Sequence, residues 1–463
     1  MAQTHNVLLI VFPLQGHINP TLQLAKRLAN LGVRVTYMTT VSTINRMSKG
    51  SAIEGISFTG FSDGNVKDNI DALIYELERC GPQALREFVS GRIKEGTGFT
   101  HIIYSSLLFP WVATVARECQ IPTTFLWVQA ASILNIYYQY YMTDYGDFIT
   151  KNIDDPSFSV ALPGLPPLKR DDLPSFILPS NRYQSVIPIT IRRHVQILNE
   201  ETKPKVLVNT FDALEAEALK AIQNYDMVGI GPLIPSAFLD GKNPSDTSFG
   251  GDLFKGTKDY TQWLNTKPES SVVYVSFGSL AVLAKAQKEE IAQGLIATGF
   301  PFLWVIRDSG EGEKEEEMLS CKEELEKQGM IVPWCSQVKV LSHPSVGCFL
   351  THCGWNSTIE SLASGVPVVT VPQWADQGTN SKLVQDVWKT GIRMKRIEEG
   401  RVESDELKRC LELVMGSEEI RLNAKKWKDM EREAAVDGGS SNENLKAFVD
   451  DLGKTSWPFD RIN

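Results

Sequence analysis

A chain of 463 residues is too long for one ordinary core, so two domains are expected. Hydrophobic residues at 42% and charged residues at 22% are the mix of a water-soluble globular protein. The net charge of −9 argues against nucleic acid or an anionic membrane as the main partner, though it leaves room for a local basic pocket. The seven cysteines are scattered, with no C-x-x-C pair, which speaks against a zinc knot or redox motif and for a reducing compartment. The first apolar run is too short for a signal peptide, and nothing later approaches ~18 uninterrupted apolar residues. A soluble, cytoplasmic protein is expected.

Residues 7–12 (VLLIVF) form a continuous apolar run that suits a parallel strand buried on both faces. Residues 13–19 (PLQGHIN) read as a turn. Residues 20–31 read as a helix with Leu22, Ala25, Leu28 and Ala29 on one face, Pro20 in its first turn and Gly32 as its C-terminal cap. A strand over 33–38 completes a β–α–β opening, and with it the α/β class and a doubly wound sheet. Further strands are expected over 101–104, 123–126 and 206–209, with a helix over 110–119. The Pro-rich stretch 162–172 (LPGLPPLKRDD) reads equally as a loop walling an acceptor site or as a solvated connector.

Residues 235–258, rich in Gly, Ser, Asp and Pro, have linker composition. A second β/α series follows, with strands over 272–276, 302–306 and 330–332, a turn at Gly278–Ser279 and a helix over 285–299. The acidic run 311–317 (EGEKEEE) is expected to be an exposed mobile loop. The resulting division is 1–240, a linker 241–260, 261–440 and a final segment 441–463. Two such Rossmann-like halves make a cleft, and ligands of these sheets bind at the carboxyl ends of the strands. The strand-end segments with unusual chemistry are 13–19, 104–109, 277–280 and 334–377.

Residues 334–377 (WCSQVKVLSHPSVGCFLTHCGWNSTIESLASGVPVVTVPQWADQ) gather aromatic, imidazole, amide, hydroxyl and carboxylate groups in one strand–loop–helix–strand unit. The helix expected over 355–364 carries Asn356 and Ser357 in its first turn. Free N–H groups and the helix dipole there form an anion site suited to a diphosphate. His352 and the Ser279 turn are candidate further donors. Glu360, four residues after Asn356, shares its helix face and is placed to accept two ribose hydroxyls. Trp334 at a strand end suits stacking on a base, and Gln337 suits pairing with a base or ribose edge. Trp374, Asp376 and Gln377 follow a strand over 366–371, with Asp and Gln side by side as partners for sugar hydroxyls. Taken singly, a Trp is usually core and an Asn or Ser a helix cap. So many ligand-type residues within one short segment overrule those readings together.

The pieces WCSQ, THCGWNS, ES, GVP and DQ resemble, without gaps, the signature box of the plant small-molecule UDP-sugar glycosyltransferases. FPLQGHINP at the start and VSFGS at 275–279 are similar to the same family, and the chain resembles its subgroup with anthocyanin and indole-acetate glucosyltransferases. The resemblance implies the GT-B fold, two facing Rossmann-like domains with a C-terminal helix returning to the first. It assigns Trp334 to uracil stacking and Gln337 to the uridine, and Cys335 beside Trp334 is a further candidate donor-binding residue. Glu360 goes to the ribose, and Ser279, His352, Asn356 and Ser357 to the diphosphate. Trp355, Asp376 and Gln377 go to the sugar, and Trp374 is a further candidate donor-binding residue. A final Gln implies UDP-glucose as co-substrate. No metal and no permanently bound cofactor are expected, and a monomer is.

His17, on the first strand-end segment, is the candidate general base, and the resemblance implies a single displacement with inversion, giving a β-glucoside. In most of the family an Asp orients this His, four residues before a Pro-Trp pair. Here the pair is Pro110–Trp111, the position is Ser106, and its neighbour is Ser105, so neither is a carboxylate. General-base help is worth ~10²–10⁴-fold. Carboxylic acids, with pKa near ~4, arrive ionised and do not need it, whereas phenols near ~10 do. A glucose ester is therefore the expected product, with a phenolic glucoside as the alternative. The acceptor wall is expected from Gln15, Gly16, Trp127, Gln129, Tyr137 and Phe176. A nicotinamide dehydrogenase is rejected, because residues 13–19 lack G-x-G-x-x-G. A non-catalytic nucleotide-sugar binder remains a remote alternative, opposed by the presence of His17.

Overall fold

The computed structural model describes residues 5–47, 55–64, 66, 69–179, 186–239, 241–250, 259–281, 283–307, 319–397 and 400–452. The acidic run 311–317, residues 251–258 of the linker stretch and residues 453–463 of the final segment lie outside them. The chain divides into two compact units. One comprises Met1–Pro235, Phe249–Leu253 and Ala434–Asn463; the other comprises Ser236–Ser248 and Phe254–Glu433.

The strands of the first unit include interior ones made of continuous apolar runs and buried on both faces, as parallel sheets require. They are β1 (Asn6–Val11), β2 (Arg34–Thr40), β3 (Ile56–Phe61), β4 (His101–Ser105), β5 (Thr123–Trp127), β6 (Lys205–Val208) and β7 (Asp226–Gly229). Among the described residues they form one sheet in the order β3-β2-β1-β4-β5-β6-β7. Every pairing in it is parallel. The order reverses between β1 and β4, so the loops after these strands share the switch point where such sheets bind ligands.

One face of β1, with Val7, Leu9 and Val11, packs against Ile18, Leu22, Ala25 and Leu28 of the helix Gln15–Asn30. Leu445, Phe448 and Val449 of the helix Ser440–Asp451 join the same core, and Asn444 donates to the Gly229 carbonyl at 2.9 Å. This helix thus completes the hydrophobic core built on β1.

The first helix corrects a sequence expectation. It begins at Gln15 rather than Pro20, so His17 stands in its first turn and not on a loop. Pro20 lies inside the helix, where a missing N–H removes one i→i−4 bond. The turn is held elsewhere: the Leu14 carbonyl accepts from the N–H groups of His17 (2.9 Å) and Ile18 (3.0 Å). The Thr21 hydroxyl reaches the carbonyls of His17 (2.7 Å) and Ile18 (3.1 Å).

The second unit repeats the design. Its strands are β8 (Val272–Ser276), β9 (Phe302–Val305), β10 (Met330–Val332), β11 (Val346–Thr351), β12 (Val368–Thr370) and β13 (Gly391–Arg393). Among the described residues the order is β10-β9-β8-β11-β12-β13, all parallel. Here the reversal falls between β8 and β11, with Ser276 paired to Thr351 at the strand ends. The helix Trp355–Ser364 stops at Gly365, whose φ of 70° is the left-handed cap that a glycine adopts without strain. No helix among the described residues is long and apolar enough to cross a membrane. All seven cysteines are free thiols.

Candidate active site

At the switch point of the first sheet, the β1 loop and the β4 loop bring His17 and Ser105–Ser106 to neighbouring strand ends. The His17 ring leans on Phe12 (centroids 5.4 Å apart, 58° tilt), and Phe12 leans on Phe109 (5.2 Å). Its Nδ1 is buried and has no hydrogen-bond partner among the described residues. Burial lowers the imidazole pKa to about 4, so the ring is neutral at physiological pH. Ser106 takes a φ of 107°, a strained value for a residue with a side chain. Its hydroxyl accepts the Leu108 N–H at 3.1 Å in a local turn. The neighbouring Ser105 is fully buried, and its Oγ has no hydrogen-bond partner among the described residues.

The candidate acceptor residues divide into two groups. Buried Gln15 and exposed Gly16 stand beside His17 in the same turn. Trp127 ends β5, next to β4; it is buried, and its indole N–H is spent on the Ala130 carbonyl at 2.7 Å. Gln129 follows, half-buried. Buried Tyr137 lies on the helix Ala131–Met142, and half-buried Phe176 on the short turn Ser175–Ile177, both well beyond these strand ends in sequence.

What anchors the helix that carries Tyr137 is a residue that sequence reading missed. The buried Glu215 carboxylate accepts from the N–H groups of Ala131 and Ser132, both at 2.9 Å, and from the Ser132 hydroxyl at 2.7 Å. Burial raises its pKa, and these bonds oppose the shift. It caps a helix from more than eighty residues away, so no local pattern reveals it. Removing it strands three buried donors, each costing about 1–3 kcal/mol. Glu215→Ala is therefore expected to lower the melting temperature by roughly 6 °C or more, at about 2–4 °C per kcal/mol for a domain of this size. A melting curve within about 1 °C of the parent would remove Glu215 from this role.

At the switch point of the second sheet the candidate donor residues converge. The half-buried Trp334 follows β10, and the buried Cys335 thiol lies 3.4 Å from the Tyr274 hydroxyl. The Gln337 amide donates to the Ser357 hydroxyl and to the Glu360 carboxylate, both at 2.9 Å, and accepts from Tyr274 at 3.3 Å. One amide thus fixes two side chains on the inner face of the helix Trp355–Ser364. That helix begins at Gly354, which offers no side-chain cap, and its dipole favours negative charge at this end.

His352 sits between two glycines. A Cβ on Gly278 would come within 2.6 Å of its Nε2, and one on Gly354 within 2.7 Å. Burial lowers its pKa to about 4, with the Ser276 backbone partly offsetting the shift. The next residue, Cys353, takes a left-handed φ of 65°. Asn380 holds that turn, donating to the Cys353 carbonyl at 3.0 Å and to the Asp376 carboxylate at 2.8 Å. Asp376 is buried, which raises its pKa to about 6 against the pull of Asn380 and the Trp355 N–H. The Gln377 side-chain carbonyl accepts from the N–H groups of Gln373 (2.7 Å) and Trp374 (3.1 Å), which turns its NH₂ end to the other side. Arg307 grips the carbonyls of Ser279 and Ala281, the latter at 2.8 Å, and so shapes the turn after β8. Trp355 is buried against Trp388 at 6.1 Å, at the base of the site.

Tyr274, Arg307 and Asn380 were absent from the sequence reading. Asn380 alone left a local signal, four residues after Asp376 on one helix face.

Comparison with known proteins follows this geometry. The family model described as UDP-glucoronosyl and UDP-glucosyl transferase matches residues 247–437. Crocetin glucosyltransferase, chloroplastic, of Gardenia jasminoides is 55% identical over 470 residues, covering 98% of each chain. Phloretin 4'-O-glucosyltransferase of Malus domestica is 54% identical, covering 97% of this chain and 98% of its own. Among solved structures, Os79 from O. sativa in complex with UDP is 31% identical, covers 96% of this chain and 100% of that one, and superposes with a TM-score of 0.85. Similarity of this degree along nearly the whole chain, on two parallel α/β sheets of this order, makes the protein a member of the plant UDP-glycosyltransferase family with the GT-B fold.

Proposed function

We propose that this UDP-glycosyltransferase uses UDP-glucose and inverts the anomeric centre, and that it glucosylates carboxylic acids ahead of phenols. The observation that carries this reading is the missing anion at the base. His17 Nδ1 is buried without a hydrogen-bond partner among the described residues, and the Ser106 hydroxyl is committed to Leu108.

In the proposed step, an acceptor oxygen attacks the anomeric carbon from the face opposite the diphosphate. The bond from that carbon to the diphosphate oxygen breaks, and its electron pair leaves with UDP. A phenol must also lose its proton to His17 Nε2. A carboxylate has none to lose at neutral pH. A paired carboxylate normally stabilises the imidazolium that forms. Without one, the penalty falls on phenols and spares acids.

On the donor side, the helix N-terminus, Asn356, Ser357, the Ser279 turn and neutral His352 receive the diphosphate. Glu360 takes the ribose, Trp334 beside Cys335 stacks on the uracil, and Gln337 serves the uridine. Trp355, Trp374, Asp376 and the NH₂ end of Gln377 address the glucose. Gln15, Gly16, Trp127, Gln129, Tyr137 and Phe176 form the acceptor wall. A phenolic glucosyltransferase is the second reading, favoured by the 54% identity to a relative named for phloretin.

The test is incubation with UDP-glucose and paired acceptors, aromatic acids beside flavonoid phenols, followed by hydroxylamine. Products cleaved by hydroxylamine are esters and bear the proposal out. Products that resist it are glycosides and favour the second reading. Turnover with another UDP-sugar in preference to UDP-glucose would overturn the donor assignment.

A further inference from the structure

We propose that Ser105, acting through one buried water, is the positioning residue that orients His17. The inference rests on His17 being the base, as proposed above. Two polar atoms carry it. Ser105 Oγ and His17 Nδ1 are both buried and both without a hydrogen-bond partner among the described residues. A bridging water is the usual partner of buried groups of this kind.

Strand register turns the two atoms toward one region. Ser105 pairs with Val11 across β1 and β4, and paired residues of adjacent strands point to the same face of a sheet. Val11 and Ile103, the residue two before Ser105, belong to the core packed by Ile18 and Leu22 of the helix Gln15–Asn30. The Ser105 side chain therefore points into the face that this helix covers, and His17 stands in the first turn of the same helix. Phe12, wedged between His17 and Phe109, limits how the imidazole can rotate. Ser106 is a poorer partner, because its hydroxyl already serves the Leu108 N–H.

The chemistry differs from that of a carboxylate partner. A hydroxyl–water pair accepts the Nδ1–H and so leaves the Nε2 lone pair for the acceptor's proton. It adds no negative charge, so the ring is oriented but its cationic form is not stabilised. A base of this kind is correctly aimed and weak.

The experiment compares the full-length enzyme with Ser105→Ala, Ser105→Thr, Ser106→Ala and His17→Ala. It reads the His17 tautomer by nitrogen-15 NMR of histidine-labelled protein at pH 7, and the turnover of a simple phenol and of benzoic acid. Ser105→Ala is expected to leave His17 as a tautomer mixture and to lower kcat on the phenol by roughly tenfold, part of the ~10²–10⁴-fold span of general-base help. KM and the benzoate rate stay unchanged, and Ser105→Thr restores the Nδ1–H tautomer. Ser106→Ala leaves the tautomer as it was. A single Nδ1–H tautomer and full phenol turnover in Ser105→Ala would overturn the assignment while leaving His17 as the base. Undiminished phenol turnover in His17→Ala would instead remove the base itself, and this inference with it.

Discussion

His17→Ala is expected to reduce glucosylation of phenols by about 10²–10⁴-fold, the span of general-base catalysis, and to leave esterification of carboxylic acids within about tenfold. The asymmetry follows from the proton. Phenols hold theirs until pH ~10, whereas carboxylic acids have lost it by pH ~5. The pH profile gives the sign. The His17 pKa is lowered to about 4 by burial, so the ring is neutral and able to accept a proton throughout the neutral range. With phenols, kcat/KM of the parent enzyme stays flat from pH 8 to about 5 and declines as pH falls through about 4, where the ring takes up its proton and ceases to be a base. Placing an anion beside the ring raises that pKa. Ser106→Asp is accordingly expected to move the acid limb to higher pH and to raise phenol turnover. The check is kcat/KM against pH for one phenol and one aromatic acid, with the parent, His17→Ala and Ser106→Asp. Equal losses on both acceptors in His17→Ala, or an unmoved acid limb in Ser106→Asp, would contradict this account.

Gly278→Ala is expected to weaken UDP binding by roughly 10–100-fold, the worth of a hydrogen bond to a charged group. The added Cβ would lie 2.6 Å from His352 Nε2 and 2.7 Å from its Cε1, so the imidazole must move. The residue also has a φ of +77°, which costs a side chain about 1–2 kcal/mol. Two further substitutions separate these effects. Gly354 has an ordinary φ of −64°, yet its Cβ would come within 2.7 Å of the same nitrogen. Gly354→Ala should therefore weaken UDP binding with little backbone strain. Gly299 has a φ of +68° and nothing within 4 Å of an added Cβ. Gly299→Ala should lower stability by about 1–2 kcal/mol and leave UDP affinity alone. Calorimetric titration with UDP and thermal melts of the three variants read both quantities. Unchanged UDP affinity in Gly278→Ala and Gly354→Ala would show that His352 does not serve the diphosphate.

The interior strands and the local chemistry were legible in the order of residues. The apolar runs at 7–12, 101–104 and 272–276 announce β1, β4 and β8, because strands buried on both faces need unbroken apolar stretches. Residues 334–377 announce the donor segment, because its chemistry is contiguous in the chain. The short β7 and β13 and the half-exposed β3 escaped notice, since edge strands lack such runs. Pro20 misled the reading of the first helix, because a proline is usually a first-turn residue and here the tertiary packing of Ile18 and Leu22 holds the helix on both sides of it.

Which distant residues meet is set by the folded packing alone. Glu215 caps a helix that begins at Ala131, and Arg307 holds the turn at Ser279. Tyr274 and Gln337 join across two elements, and strand register turns Ser105 to the sheet face covered by the helix of His17. Periodicity reports which face of an element is buried, but partners far apart in sequence are chosen by strand order and packing, which no local pattern encodes.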